Sequence, residues 1–149
     1  MVAAMTEALA LAGGERVLEV GTGSGYQTAV LAELARDVLS IERRPALAAQ
    51  ARERLAALGY GHVRVLVGDG SVGYQPGAPY EAILVGAGAP RVPEVLQAQL
   101  ADGGRLVIPV GPHGRQDLVV VRRIQDAFVQ TVREGCVFVP LIGEAGRPS

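Results

Sequence analysis

The run RVLEVGTGSG, residues 16–25, sets a short β-branched stretch directly against three glycines in five positions. Arg16–Val20 reads as a strand, and the glycines behind it let the chain turn sharply on backbone that carries no Cβ. The segment from about Gly25 to Ala35 then reads as a helix. Strand, bare turn and helix in that order form the opening of a βαβ unit, and the rest of the chain repeats the alternation. Strands are expected at Val38–Ile41, Val63–Val67, Glu81–Val85 and Arg105–Val110, and helices at Val2–Ala12, Pro45–Leu58 and Val92–Leu100. Gly13-Gly14 and Gly59 act as stops, and Pro45 sits at a first helical turn. The pattern predicts an α/β fold with a doubly wound, mostly parallel sheet and right-handed crossovers. The tail changes character. Asp117–Arg123, Phe128–Glu134 and Val137–Leu141 read as strands with short connections, which predicts antiparallel pairing at one edge of the sheet.

No repeat, low-complexity tract or linker divides the 149 residues, so one domain with a sizeable core is expected. Apolar residues make up 49% and charged residues 19%, the balance of a compact globular chain. Fourteen basic against fifteen acidic side chains give a net charge of −1, with no basic stripe to neutralise a row of phosphates, and nucleic acid is not expected as a partner. Apolar runs are broken well before the roughly 18 residues that a membrane-spanning helix needs. Residues 1–11 lack a basic leader region, and the reading is of a soluble, cytoplasmic protein. Cys136 is the only cysteine, which rules out an internal disulfide and a cysteine-based metal cage. No metal is expected.

In an open α/β sheet a ligand sits beyond the carboxyl ends of the strands, where strand order reverses, and the glycine turn falls there. A dinucleotide would call for G-x-G-x-x-G/A, but here the third glycine comes one residue early and Tyr26 fills the sixth position. A carboxylate at Glu19 would also repel two phosphates. It would attract the ammonium and sulfonium of S-adenosylmethionine. Glu42 ends the second strand twenty-one residues after Gly21, where it can accept from ribose hydroxyls in either class of cofactor. Gly68-Asp69-Gly70 follows the third strand, and Asp69 there could accept from an adenine amino group. Each acidic residue alone has an ordinary structural reading, as a surface residue, an ion-pair partner or a turn former. Together they place three acidic positions at three consecutive strand ends.

These residues resemble class I S-adenosylmethionine-dependent methyltransferases and, within them, the protein-L-isoaspartate O-methyltransferases. The likeness runs through VAAMTEAL, VLEVGTGSGYQTAVLAEL, SIE, VGDGSVGY, APYEAILVGAGAP, GGRLVIPVG and VFVPL, nearly the whole chain. The glycine turn by itself indicates only a methyltransferase; the last segments are far more specific. The resemblance implies methyl transfer from S-adenosylmethionine to the α-carboxyl of L-isoaspartyl residues in damaged proteins. The ester then closes to a succinimide that partly reopens as normal aspartate. It implies that Glu19, Gly21, Gly23 and Gly25 border the methionine part of the cofactor, Glu42 the ribose, and Asp69 with Gly70 the adenine, with Thr22 of the glycine turn also among the cofactor-binding residues. Val139, Pro140 and Leu141 match a segment that closes the site near the substrate. Similar proteins exchange the last two strands of the sheet relative to other methyltransferases.

Two departures accompany the likeness. The family carries an upstream Q-T-I-S-type motif with an active-site hydroxyl residue, and this sequence starts after it, so an N-terminally shortened domain with weak or no activity is expected. Gly86 and Gly88 stand where many relatives have larger residues. The chemistry fits what remains, because a carboxylate acceptor with a pKa of about 4 is already ionised and needs no general base. His62 and His113 are accordingly expected to be surface or turn residues. Three alternatives stay open: a small-molecule methyltransferase, a non-catalytic nucleoside-binding or assembly module, and an NAD-dependent oxidoreductase. Oligomeric state is not legible.

Overall fold

The computed structural model describes all residues, Met1–Ser149. In chain order the elements are α1 (Val2–Leu9), β1 (Arg16–Val20), α2 (Tyr26–Leu34), β2 (Asp37–Glu42), α3 (Pro45–Ala57), β3 (Arg64–Val67), β4 (Tyr80–Val85), α4 (Glu94–Ala98), β5 (Leu100–Val110), β6 (Gln116–Ile124) and β7 (Ala127–Cys136). The strands form one sheet in the order β3-β2-β1-β4-β5-β6-β7. The first five positions are parallel, whereas β6 runs antiparallel to β5 and β7 antiparallel to β6. The doubly wound sheet with its antiparallel edge is as the alternation predicts.

Alternate residues of each central strand feed two separate cores. Val17 of β1 packs with Leu31 of α2, Leu55 of α3 and Met5 of α1 on one face, while Leu18 and Val20 pack with Leu96 of α4, Ile108 and Leu141 on the other. Each side chain so buried contributes about 1.5–3 kcal/mol relative to exposure, and this two-sided burial holds the strand ends rigidly beneath the loops. None of the helices is long and apolar enough to cross a membrane.

Two expected elements differ. Val137–Leu141 is not a strand of the sheet: it crosses the carboxyl ends of the strands, and its backbone pairs there through a bridge between Gly88 and Pro140. The outer side of β6 is already taken by β7, and Pro140 has no N–H with which to continue a ladder. The helix expected over Val92–Leu100 is confined to Glu94–Ala98. Pro93 precedes its first turn, and Leu100 already belongs to β5, paired with Tyr80.

Between β2 and β4, β1 is the strand at which the order reverses. Its crossover to β2 uses α2 on one face, whereas the return from β3 to β4 passes over the other face through tight turns at Gly70–Val72 and Gln75–Gly77. The two connections diverge, and the crevice between them opens at the carboxyl ends of β1 and β4.

Candidate functional site

The crevice is a cleft of about 470 Å³, within the size range of small-ligand pockets. Gly21 and Gly23 floor it with φ of 93° and 55°, left-handed values that a side chain would resist. The floor is fixed to the sheet on both sides, as Gly21 N donates to Ile41 O at 2.8 Å and Gly86 N to Val20 O at 2.9 Å. Glu42 forms one wall. Its Oε2 accepts from Gly23 N at 2.9 Å and its Oε1 from Arg44 N at 3.1 Å, so the end of β2 is tied to the glycine turn through a carboxylate. Each oxygen keeps a lone pair for a ligand hydroxyl. Arg43 and Arg44 stand beside it, and Gly70 faces it. Val139, Pro140, Leu141 and Ile142 close the opposite side.

Seven of the predicted residues therefore meet at one cleft: Gly21, Gly23, Glu42, Gly70, Val139, Pro140 and Leu141. Four others lie beside or beneath it. The side chain of Glu19 points into the helix-covered face and is wholly buried, beneath the turn instead of in the cleft. Its Oε1 accepts from Thr28 Oγ1 of α2 and from Ser40 Oγ of β2 at 2.6 Å, and Oε2 has no partner. Ser40 Oγ also contacts the buried Thr22 Oγ1 at 2.5 Å. A carboxyl, three hydroxyls and the turn they support thus form one buried cluster. Loss of solvation pushes the Glu19 carboxyl up to about 7, against the pull of its two hydroxyl donors and with the Glu42 charge adding to the rise. The expectation that Glu19 presents a fixed charge to a ligand is corrected on both counts: alternation along β1 turns it away, and burial weakens its ionisation. Thr22 and Gly25 are likewise supports: Thr22 is buried, and a Cβ on Gly25 would already touch Ala51 and Leu55 of α3 at 3.6 Å.

Asp69 lies next to the cleft, but its carboxylate turns outward. Oδ1 accepts from Ser71 N at 3.0 Å and Ser71 Oγ at 2.6 Å, and Oδ2 accepts from Glu144 N at 2.9 Å. Partial burial raises its proton affinity, but the donors from Ser71 and Glu144, with the charge of Arg43, outweigh that and hold the carboxyl below its ordinary range. The expected adenine acceptor is therefore already engaged with the C-terminal segment.

Ser40, Thr28, Arg43 and Ile142 escaped the sequence reading. Ser40 left a trace, being the one hydroxyl in the apolar run VLSI and directly in register with Glu19. The others needed the fold to bring them close.

Gly70 makes a direct test of the wall. A Cβ there would stand 2.5 Å from Val20 Cγ1, a branched side chain fixed in β1 with little room to yield. Gly70→Ala is expected to cost about 1–2 kcal/mol of stability in urea unfolding and to narrow the cleft. Unchanged stability would show that the turn relaxes freely.

Residues 1–146 match a family described as protein-L-isoaspartate(D-aspartate) O-methyltransferase. A protein-L-isoaspartate O-methyltransferase of Trichlorobacter lovleyi is 54% identical over 98% of this chain and 68% of its own length. One from Methanoculleus marisnigri is 55% identical over 98% of this chain and 66% of its own. A solved protein-L-isoaspartate O-methyltransferase superposes with a TM-score of 0.87 at 29% identity, covering 97% of this chain and 47% of that one. A methyltransferase of Geobacter sulfurreducens, solved with S-adenosyl-L-homocysteine, superposes at 0.60 with 27% identity over 72% of this chain and 46% of its own. The chain thus spans about two thirds of the curated relatives' length and about half of the first solved one.

Proposed function

The chain belongs to the protein-L-isoaspartate(D-aspartate) O-methyltransferase family, and from that membership we propose that its cleft binds S-adenosylmethionine and serves methylation of isoaspartyl carboxyl groups in proteins. The observation that carries the proposal is the pairing of bare backbone at Gly21 and Gly23 with the Glu42 carboxylate in one cleft at the strand reversal. That donor set suits a nucleoside with hydroxyls and positive charge. The spacing of the turn, with the third glycine at Gly25 and Tyr26 in the sixth position, departs from the dinucleotide fingerprint.

When bound, the cofactor supplies a methyl group on a sulfonium centre. The chain's own residues then have distinct tasks. Gly21 and Gly23 allow close main-chain approach, Glu42 accepts from ribose hydroxyls, and Gly70 gives a flat wall without a Cβ. Val139, Pro140 and Leu141 line the same cleft, so they border the cofactor as well as the substrate side. Glu42 is the only lining side chain able to take a proton, and the proposed reaction asks for none to be taken, because the acceptor carboxylate is ionised near neutral pH. Alignment of acceptor and methyl is then the main contribution of the protein.

The test uses the purified chain, methyl-labelled S-adenosylmethionine and two peptides that differ only in an isoaspartyl or aspartyl linkage. Base-labile label, weak in amount, is expected on the isoaspartyl peptide at about tenfold or more over its isomer. Equal labelling of the two, or label only on a small-molecule acceptor, would overturn the substrate assignment.

A further inference from the structure

We infer that Asp69 and Ser71 are positioning residues for the nucleoside: they clip the C-terminal turn in place and so hold the Val139–Ile142 wall against the cleft. The inference rests on the cofactor reading of that cleft and adds to it how one wall is kept closed.

The segment from Val139 to Arg147 straddles the crevice and is fastened on both banks. On the β4 side Gly88 N donates to Val139 O at 2.8 Å and Leu141 N donates to Gly88 O at 2.8 Å. On the β3 side Glu144 N donates to Asp69 Oδ2 at 2.9 Å and Ala145 N donates to Ser71 Oγ at 3.0 Å. Between the two fastenings, Val139, Pro140, Leu141 and Ile142 form the wall. The turn is closed on itself by Arg147 N to Leu141 O at 2.7 Å and Gly143 N to Arg147 O at 3.0 Å, so wall and clip move as one piece. Gly143 fits because it has no side chain: its φ is 150°, and a Cβ would run into the Asp69 carboxylate and the Ser71 hydroxyl.

Asp69, in extended backbone, caps the tight turn that Gly70 opens, so one tripeptide supplies both a bare wall and the clip. Ser71 is the pivot. Its hydroxyl gives its proton to Asp69 Oδ1 and accepts from Ala145 N, which leaves the serine fully buried and matched on both sides. Without the clip the segment keeps its Gly88 fastening, the bond from Arg147 Nη2 to Gly111 O at 2.9 Å and its own internal bonds, and nothing holds it on the β3 side. The closed wall is then a fraction of the population, and apparent affinity for a ligand that touches it falls by that fraction.

The experiment measures S-adenosylhomocysteine binding by calorimetry and amide hydrogen exchange at Glu144 and Ala145 in wild type, Asp69→Asn and Ser71→Ala. The asparagine keeps an oxygen for Ser71 and presents an amide to Glu144 N–H, so it removes one bond without a change of shape. Each variant is expected to raise Kd about tenfold and to speed exchange at Glu144 and Ala145. Exchange at Leu18 and Ile83 should remain that of wild type, which guards against general unfolding. Faster exchange with Kd within about twofold of wild type overturns the inference. So does a raised Kd with wild-type exchange, which would make Asp69 a direct ligand of the nucleoside. Wild-type protein that binds no S-adenosylhomocysteine sinks the cofactor reading and this inference together, a result told apart because it needs no variant.

Discussion

Glu42→Ala is expected to weaken S-adenosylhomocysteine binding about a hundredfold, the largest loss from any single side chain in the cleft. Two effects combine. The substitution removes the acceptor aimed at the ribose hydroxyls, and bonds to an ionised group are the strong ones. It also frees Gly23 N and Arg44 N, which donate to the two carboxylate oxygens at 2.9 and 3.1 Å and fix the glycine turn relative to β2. Because Glu42 is only 7% exposed, water cannot readily replace it in either task. Glu42→Gln should fall between wild type and alanine, as its amide retains one acceptor oxygen and loses the charge. Calorimetric titration of the three proteins reads the order. A loss of less than about threefold for alanine would mean that the ribose is held elsewhere.

The second expectation concerns stability and pH. The Glu19 carboxyl titrates at about 7 in the folded chain against an ordinary value of 4.5, chiefly because it is buried without solvent, so the folded state binds its proton more tightly than the unfolded state. A raised folded value means that the associated stability is complete below pH 4.5 and is lost as pH rises through about 7. Its contribution between those limits is about 3 kcal/mol. Urea unfolding of wild type at pH 5 and pH 8.5 should show a decline of that order from this group. Glu19→Gln should flatten it, since the amide keeps an oxygen for Thr28 and Ser40 and places no charge at the unpartnered Oε2 position. Equal slopes in the two proteins would show that Glu19 is ionised and solvated in the native state. Asp69 and Glu15, both held below their ordinary range, act in the opposite sense and only at acid pH.

Comparison of these two glutamates shows what a strand pattern reveals. Both were legible as acidic residues near the cleft, but they have different jobs. Glu42 is the last residue of its strand, where the backbone turns out of the sheet and the side chain reaches the crevice. Glu19 is one residue short of the end of β1, and alternation sends it into the helix-packed face. A shift of one position separates a side chain on the cleft wall from a buried support. The buried role had a signal in Ser40, a hydroxyl opposite Glu19 in register, but reading it required the pairing of β1 with β2.

The tail gives the complementary case. Val137–Leu141 is β-branched and apolar and reads as a strand. Its neighbours, not its composition, decided that it would instead cross the strand ends, because β7 had already filled the edge of the sheet. Asp69 was placed at the right strand end, but its partners are Glu144 and Ser71, the first seventy-five residues away in sequence.

The sequence by itself determined the alternation of strands and helices, the doubly wound sheet, and the cleft at the glycine turn. These follow from local periodicity and from glycine's freedom at left-handed angles, both properties of neighbouring residues. The tertiary structure alone decided which acidic side chains enter the cleft, which one is buried with a shifted proton affinity, and how the tail closes the wall. Those outcomes depend on strand register and on contacts between residues far apart in the chain, and no local pattern encodes them.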